Sequence, residues 1–346
     1  MVGKDSRKAP PHSGDDPQTP GHTLTEGARV EIPISDLDLD HGPYCTSFGR
    51  DETALRTSIQ RAGVLNPPLV HRQGEGAWAV VAGFSRLRAL RDLGERACSC
   101  RDLSGSGLTA LNLLLLGLHE NLGTRDLNPV EKAMALARLE PLVLKDDLEK
   151  TYLPLLGLPR RHGTIEDHLA LNHAEVEVRL AVASGRLCLR AFRMLRTWSS
   201  ADRIEITRWI HTLKYNTNKQ LQLIDIISDL MDEKCVTAHS LLETGPMADI
   251  LEQAGGNPPQ AAARLLRALR RLRFPSLSAA EQAFHRSVTA LELPRGVSVT
   301  HPAHFEGVEY RLDIRFRNGR DLVDTLDALA RTSGLEALGP PWKGGD

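Results

Sequence analysis

The sequence predicts an α+β chain in three parts. These are a compact N-terminal α+β domain, an all-helical middle with a helix-turn-helix, and a small C-terminal strand–strand–helix unit. Three observations carry this. From Val30 to about residue 125, short apolar strands alternate with amphipathic helices. Beyond Asn128, apolar residues recur almost wholly at helical spacing. Near the end, Tyr310, Leu312, Ile314 and Phe316 alternate with Arg311, Asp313, Arg315 and Arg317, and Leu322, Val323, Leu326, Leu329 and Ala330 then fall on one helical face. Aromatic residues are only 4% of the chain, so the cores fall to Leu, Val, Ile and Ala, which favours helices.

Residues 1–28, rich in Pro, Gly, Asp, Ser and Thr without periodicity, read as a disordered tail. The domain over 29–127 opens with a strand through Val30, Ile32, Ile34 and Leu37. Glu52 to Ala62 is helical, with Leu55 and Ile59 four apart. Leu69-Val70 begins a second strand, and Trp78 to Val81 forms a third. Gly83 turns the chain into a helix from Ser85 to Leu93, stopped by Gly94. Leu108 to Leu118 reads as a buried helix.

The helical middle spans 128–254. Helices are expected over Glu131–Leu142, Leu148–Leu156, Pro159–Leu171 and Ala174–Ala183, with Gly157 and Gly185 at turns. This spacing suits a helix-turn-helix. Amphipathic helices follow over Ala201–Leu213 and Asn218–Met231, and Gly255 to Pro259 is a linker or sharp turn. The last part, 260–346, begins with a helix from Gln260 to Phe274. It has leucines on one side and Arg264, Arg267, Arg270, Arg271 and Arg273 on the others. Ser278 to Glu281 reads as a capping box for the next helix. Val297 and Val299 begin a strand, His301 to Gly307 turns the chain, and the alternation from Tyr310 follows. Two strands and one helix cannot bury a core alone, so this unit is expected to pack on other helices or on a copy of itself.

With 346 residues, 41% apolar and 25% charged, the chain has ordinary globular composition. Its net charge of -1 gives no field over the whole molecule, but residues 150–220 hold twelve Lys or Arg against six Asp or Glu. Such a local basic zone is what a nucleic-acid module needs. Five scattered cysteines imply no disulfide framework and fit a reducing cytosol. Cys98-Ser99-Cys100 reads as strand or loop thiols, because no nearby pair completes a metal site. The most apolar run, Leu111 to Leu118, is far shorter than the ~20 residues of a membrane span. No Gly-x-x-x-x-Gly-Lys-Ser/Thr occurs, which excludes a P-loop ATPase.

Two segments at helix starts carry the functional signal. Gly83-Phe84-Ser85-Arg86-Leu87-Arg88-Ala89 follows an apolar strand; glycine lets backbone N–H groups approach phosphate oxygens, and Arg86 and Arg88 can neutralise them. Glu120-Asn121-Leu122-Gly123-Thr124-Arg125-Asp126-Leu127-Asn128-Pro129-Val130-Glu131 ends in a helix start, with Asn128 as cap, Pro129 at the first position and Glu131 closing a capping box. Glu120 beside Asn121 can hold Mg²⁺ directly or through water. Gly63 to Val70, with two prolines, fixes an extended backbone able to read a base edge.

In this order and separation, the segments resemble the motifs of ParB-type partition proteins. Ser58-Ile59 to Val70 is similar to the family's base-binding segment. Gly83 to Ala89 is similar to its first phosphate motif, commonly Gly-Glu-Arg-Arg followed by Arg-Ala. Glu120 to Glu131 is similar to its second, commonly Glu-Asn-x-Gln-Arg followed by Asp-Leu-Asn-Pro. Leu155 to Leu158, opening a helix-turn-helix, and the C-terminal unit also resemble the family. The likeness covers residues 30–200 well and 297–331 loosely.

The resemblance implies a ParB/sulfiredoxin-like N-terminal fold that binds CTP and Mg²⁺. The implied nucleotide contacts are Gly63, Asn66, Pro67, Gly83, Phe84, Ser85, Arg86, Glu120, Asn121 and Arg125. Glu120 and Asn121 would hold the metal, and Glu120 is the candidate catalytic residue of a weak CTP hydrolase. Arg160, Arg161, His162 and Thr164 would contact DNA from the recognition helix, which Gly163 weakens by ~1 kcal/mol relative to Ala. Glu166 and Asp167 would repel phosphates if they faced the groove. The implied partners are double-stranded DNA with a parS-like site, a second copy through the C-terminus, and a ParA-type ATPase. The implied location is cytoplasmic, on the nucleoid and not in a membrane. In the family, CTP closes the N-terminal domains of a dimer into a DNA clamp.

The sequence departs from the family pattern in three places. Phe84-Ser85 stand where Glu-Arg is usual. Gly123-Thr124 replace Gln-Arg, with arginine one place later as Arg125. The Leu-Gly-Arg-Gly-Leu-like segment through which many relatives contact their ATPase is missing. What remains supports nucleotide binding better than efficient hydrolysis. Two alternatives stand beside the CTP-dependent clamp: a transcriptional regulator of a mobile element without the clamp cycle, and an enzyme on the same scaffold, a nuclease or nucleotide-dependent kinase.

Overall fold

The computed structural model describes residues 27–74, 76–243, 245–302 and 309–339. The tail expected over 1–28 therefore lies outside them up to residue 26, as does most of the turn expected over His301–Gly307. Two compact units divide the chain between Gly185 and Arg186.

The first unit begins with β1 (Arg29–Pro33), a short 3-10 turn, and α1 (Thr53–Ala62). Then come β2 (Leu69–Gln73), β3 (Ala77–Ala82), α2 (Phe84–Asp92) and β4 (Ala97–Asp102). The strands form one sheet in the order β1-β4-β2-β3, antiparallel except for β2 beside β4. The first strand is shorter than expected: the chain turns at Pro33, which cannot donate to a ladder. Ala79 to Ala82 of β3 are all buried, so both faces of that strand are covered. Cys98 and Cys100 are buried thiols on β4, as the strand or loop reading expected.

Helix α3 (Ala110–Thr124) opens on a capping box between Thr109 and Asn112 and packs on β3. The approach is close enough that a Cβ on Gly117 would overlap the Val81 carbonyl oxygen. Glycine is thus required there by proximity. The helix runs two turns past the expected end at Leu118, so Glu120 and Asn121 lie within its last turns. Helix α4 (Pro129–Leu139) starts as its sequence dictates: the Asn128 side chain accepts from Val130 and Glu131, and Glu131 reaches back to the Asn128 N–H. One apolar core joins Leu113, Leu114 and Leu118 of α3 to Leu136 and Leu139 of α4 and on to Leu153 and Leu156. It runs without a break across residue 128, where the sequence suggested a boundary.

Next, α5 (Lys145–Asp147) and α6 (Leu153–Leu155) flank a π-helical turn, Leu148–Tyr152. Pro154 has no N–H to return to Lys150 four residues back. The carbonyl of Lys150 accepts instead from the guanidinium of Arg160. Helix α7 covers Thr164–Asn172, and α8 covers Val176–Ala183. The expected helix from Pro159 is corrected: it begins at Thr164. Gly163 sits just before it at φ 83°, a left-handed conformation that glycine adopts freely. It therefore starts the helix rather than weakening its interior, and Glu166 and Asp167 fall in the first turn, where the helix dipole favours acids.

The second unit is helical to residue 290. It contains α9 (Leu189–Leu195), α10 (Ser200–Thr212), α11 (Thr217–Lys234), α12 (Ala238–Glu243), α13 (Pro246–Glu252), α14 (Pro258–Arg273) and α15 (Pro275–Ala290). Leu265 and Leu269 of α14 are buried, as are Leu223, Ile227 and Leu230 of α11, which α14 packs against. Of the α14 arginines, Arg273 pairs with Asp225 and Asp229, while Arg267, Arg270 and Arg271 are exposed. The capping box expected at Ser278–Glu281 is corrected. Pro275 already supplies the first helical residue, so those positions lie inside α15.

β5 (Val297–Thr300) and β6 (Arg311–Ile314) form an antiparallel pair, followed by α16 (Gly319–Ala330). The second strand is shorter than the alternation suggested: Tyr310, stacked on Phe284, and Phe316 lie outside it. Leu312 is 47% exposed, Phe316 51%, Val323 56% and Leu326 45%. No residue of α16 is buried. The apolar side is therefore only partly covered: Tyr310 and Ile314 are half-buried, while Leu312 and Phe316 are exposed.

A candidate nucleotide cleft and a candidate nucleic-acid interface

A cleft of about 450 Å³ opens where the ends of α1, α2 and α3 meet. Gly63, Asn66, Gly83, Phe84, Ser85, Arg86, Glu120, Asn121 and Arg125 all line it. Three segments far apart in sequence thus supply one wall each. Pro67 is the exception: it lines a different cavity, beside Leu90 and Cys98, and does not reach the cleft. Phe84 is 4% exposed, so its ring belongs to the core.

Gly83 precedes α2 at φ 94°, and an added Cβ would stand 3.0 Å from both Pro68 and the Arg86 guanidinium. Conformation and space both demand glycine. No side chain caps this helix, so the N–H groups of its first turn remain open toward the cleft. Arg86 spans the two phosphate motifs. It donates from Nη1 to the Asn66 carbonyl at 2.6 Å and pairs through Nη2 with the Glu120 carboxylate. Its side chain is only 16% exposed.

Arg88 points elsewhere. It donates to Glu52 at 3.0 Å, to Ser47 Oγ at 2.9 Å and to the Leu39 carbonyl at 3.0 Å. Burial disfavours its charge, but the Glu52 carboxylate more than offsets this and holds the guanidinium above its ordinary range. Arg125 is also committed, donating to Glu131 Oε2 at 2.7 Å and to Asn121 Oδ1 at 3.1 Å. Asn121 in turn donates to Thr46 Oγ1 at 3.3 Å.

Sequence reasoning missed the residue at the centre of this network. Glu131 is fully buried, yet its carboxylate accepts from Arg125, from Arg50 at 3.3 Å, and from the N–H groups of Phe48 and Asn128. Its helix-capping role was legible; its second role as the buried counter-charge to two arginines was not. Ser47, Arg50 and Glu52 were missed as well, since the segment 44–52 carries no motif. The adjacent buried Thr46 and Ser47 leave no periodic signal.

As a metal site, the cleft offers one carboxylate and one amide. Mg²⁺ keeps several waters and is commonly held by one or two carboxylates together with substrate phosphates, so this set fits. Among the described residues no group of three or more His, Cys, Asp or Glu could hold a metal alone.

At the candidate nucleic-acid interface, Arg160, Arg161 and His162 are exposed in the turn before α7. Thr164 is corrected as a contact: it is 1% exposed, and its hydroxyl is buried without a hydrogen-bond partner, so it cannot reach a duplex. Among the described residues no helix is long and apolar enough to cross a membrane.

The structure thus presents a glycine turn opening a helix beside a carboxylate and an amide, in one unit with basic residues exposed before α7. Comparison with known proteins narrows this. The ParB N-terminal domain family matches residues 19–114. A probable chromosome-partitioning protein ParB of Pseudomonas putida is 34% identical over 217 residues, covering 52% of this chain and 73% of that protein. A probable plasmid-partitioning protein ParB of Thermus thermophilus is 36% identical over 145 residues, 40% of this chain and 46% of that protein, so the match spans about half its length. A solved C-terminally truncated ParB of Caulobacter crescentus, complexed with CTP-gamma-S, is 25% identical with a TM-score of 0.25, covering 53% of this chain and 99% of that one. The chain belongs to the ParB family of partition proteins.

Proposed function

We propose that this chain is a dimeric, CTP-dependent DNA-binding partition protein. Its first unit would carry both the nucleotide cleft and the contact to a parS-like duplex site. The observation that carries this reading is the Arg86–Glu120 pair across a cleft lined by nine of the ten candidate nucleotide residues. In the structure Arg86 of the first motif and Glu120 of the second neutralise each other. A triphosphate at the Gly83 turn would compete with Glu120 for the Arg86 guanidinium, since both are anions seeking the same donors. Arg86 then turns to phosphate oxygens, and the freed Glu120 carboxylate, beside Asn121, would hold Mg²⁺. A Mg²⁺ ion held there would supply positive charge against phosphate. Helix α3, which carries Glu120, leads directly into α4 and the helices beyond, so the exchange falls on the element joining cleft and helix-turn-helix. A ligand that favours one arrangement of such an element shifts its population.

Glu120 is thus a switch and metal ligand rather than a base, and fast turnover is not expected. Calorimetry with CTP, ATP, GTP and UTP in Mg²⁺ tests the reading. CTP should bind most tightly, and Arg86→Ala should remove most of that binding. Equal affinity for all four nucleotides, or an unaffected Arg86→Ala protein, overturns it.

For DNA, Arg161 and His162 are the free contacts, because Arg160 also ties down the Lys150 carbonyl. Duplex binding should weaken steeply with salt, as phosphate contacts require.

A further inference from the structure

A second cavity, of about 540 Å³, shares Ser47, Arg50 and Glu52 with the nucleotide cleft. Of the sequence motifs only Arg88, from the Gly83–Ala89 segment, reaches it. Its remaining walls bring Arg88, Arg138 of α4 and Arg179 of α8 together. The carboxylates here are already matched: Glu52 holds Arg88, buried Glu131 holds Arg50, and Asp40 pairs with Arg91 at 3.5 Å. Among the described residues, Arg138 and Arg179 have no such carboxylate partner. Arg138 donates to the carbonyls of Pro43 at 3.0 Å and Gly42 at 3.1 Å, which satisfy its geometry but not its charge. Arg179 lies 4.2 Å over the Phe48 ring, and its Nε is buried without a hydrogen-bond partner.

We propose that this cavity binds a phosphate group between Arg138 and Arg179. Guanidinium groups do not lose their proton in proteins, so two that are half-buried without counter-charges call for an anion. Burial pushes both below the ordinary arginine range, and the charge of Arg138 adds to the push on Arg179. Asp38 draws on Arg138 from a distance but makes no ion pair with it. A dianion matches the two unmatched charges, whereas a single carboxylate leaves one over. The guanidinium donors that the Pro43 and Gly42 carbonyls do not occupy also suit the tetrahedral oxygens of phosphate. The site is independent of the nucleotide reading, because neither arginine lines the nucleotide cleft.

The test uses the full chain carrying Arg86→Ala, which disables the nucleotide cleft. Inorganic phosphate and a nucleoside monophosphate are titrated separately by calorimetry against chloride at equal ionic strength. Phosphate is expected to bind, and Arg138→Gln with Arg179→Gln to weaken it by more than about tenfold. Binding of both probes identifies the shared phosphate group as the ligand; binding of inorganic phosphate alone restricts the site to the free ion. Val176 lines the mouth of the same cavity and is 58% exposed, so Val176→Glu adds a repelling charge without disturbing the fold. It should weaken phosphate binding even if the double variant fails to fold. Phosphate affinity unchanged in Val176→Glu overturns the proposal. So does a chain that binds no phosphate while the double variant loses duplex affinity, which would assign these arginines to DNA.

Discussion

The candidate nucleotide cleft and the C-terminal β5–β6–α16 unit are incomplete in opposite ways. The arginines that line the cleft are each held by a carboxylate: Arg86 by Glu120, and Arg125 and Arg50 by Glu131. A ligand can enter only by exchanging partners, which makes the cleft responsive. In the C-terminal unit Leu312, Phe316, Val323 and Leu326 are exposed, and no exchange can satisfy them. Apolar surface needs area covered, so that unit asks for a permanent surface. We propose a second copy as that surface, since a symmetric pair covers both patches at once. Polar incompleteness suits a switch; apolar incompleteness suits assembly.

The largest expected effect breaks the cleft side of this comparison. Glu131→Ala removes a fully buried carboxylate and leaves the Arg125 and Arg50 charges uncompensated, at about 3–5 kcal/mol of stability. Denaturant unfolding measures it; a loss under about 1 kcal/mol, the value of a helix cap alone, would show that the arginines do not depend on Glu131. Next is the C-terminal side. Phe316→Asp places a charge in the expected interface, at a cost of several kcal/mol. Light scattering should find a wild-type dimer at micromolar concentration and a monomeric variant that still binds nucleotide. A variant that stays dimeric would move the interface away from β6 and α16. Arg311→Ala, on the other strand face, should leave the dimer intact.

A smaller effect sharpens the cleft further. Glu120→Gln removes one anion from the Arg86 exchange, so CTP without Mg²⁺ should bind at least as well as to wild type, while the gain on adding Mg²⁺ should shrink. Calorimetry with and without the ion separates the two, and an unchanged Mg²⁺ gain would remove Glu120 from the metal site. The smallest effect concerns DNA. Arg161→Ala should lower the salt slope of duplex binding by about one, the loss of a single phosphate contact. Arg160→Ala should also lower the melting temperature, because it frees the Lys150 carbonyl. If both variants behave alike in melting, the tether to Lys150 contributes nothing.

Local chemistry explains what the sequence alone determined. The capping box at Asn128–Glu131, the glycine turn at Gly83, the strand through Val80 and Val81, and the leucine stripe of α14 depend on neighbours within a few positions, and each is where its pattern placed it. Family motifs named nine residues that line one cleft, though nothing local in them says that Asn66, Arg86 and Glu120 meet. Four outcomes were decided only by the tertiary structure. Pro67 was turned out of the cleft and Thr164 into the core, because neither proline rigidity nor a hydroxyl specifies which side of the chain faces a ligand. Gly163 became a helix start because the chain turns there in a left-handed conformation that glycine adopts freely. Glu131 acquired Arg50 from eighty-one positions away. Periodicity and capping report interactions that repeat along the chain; a buried counter-charge is fixed by which distant segments the core brings together, and no local pattern encodes that distance.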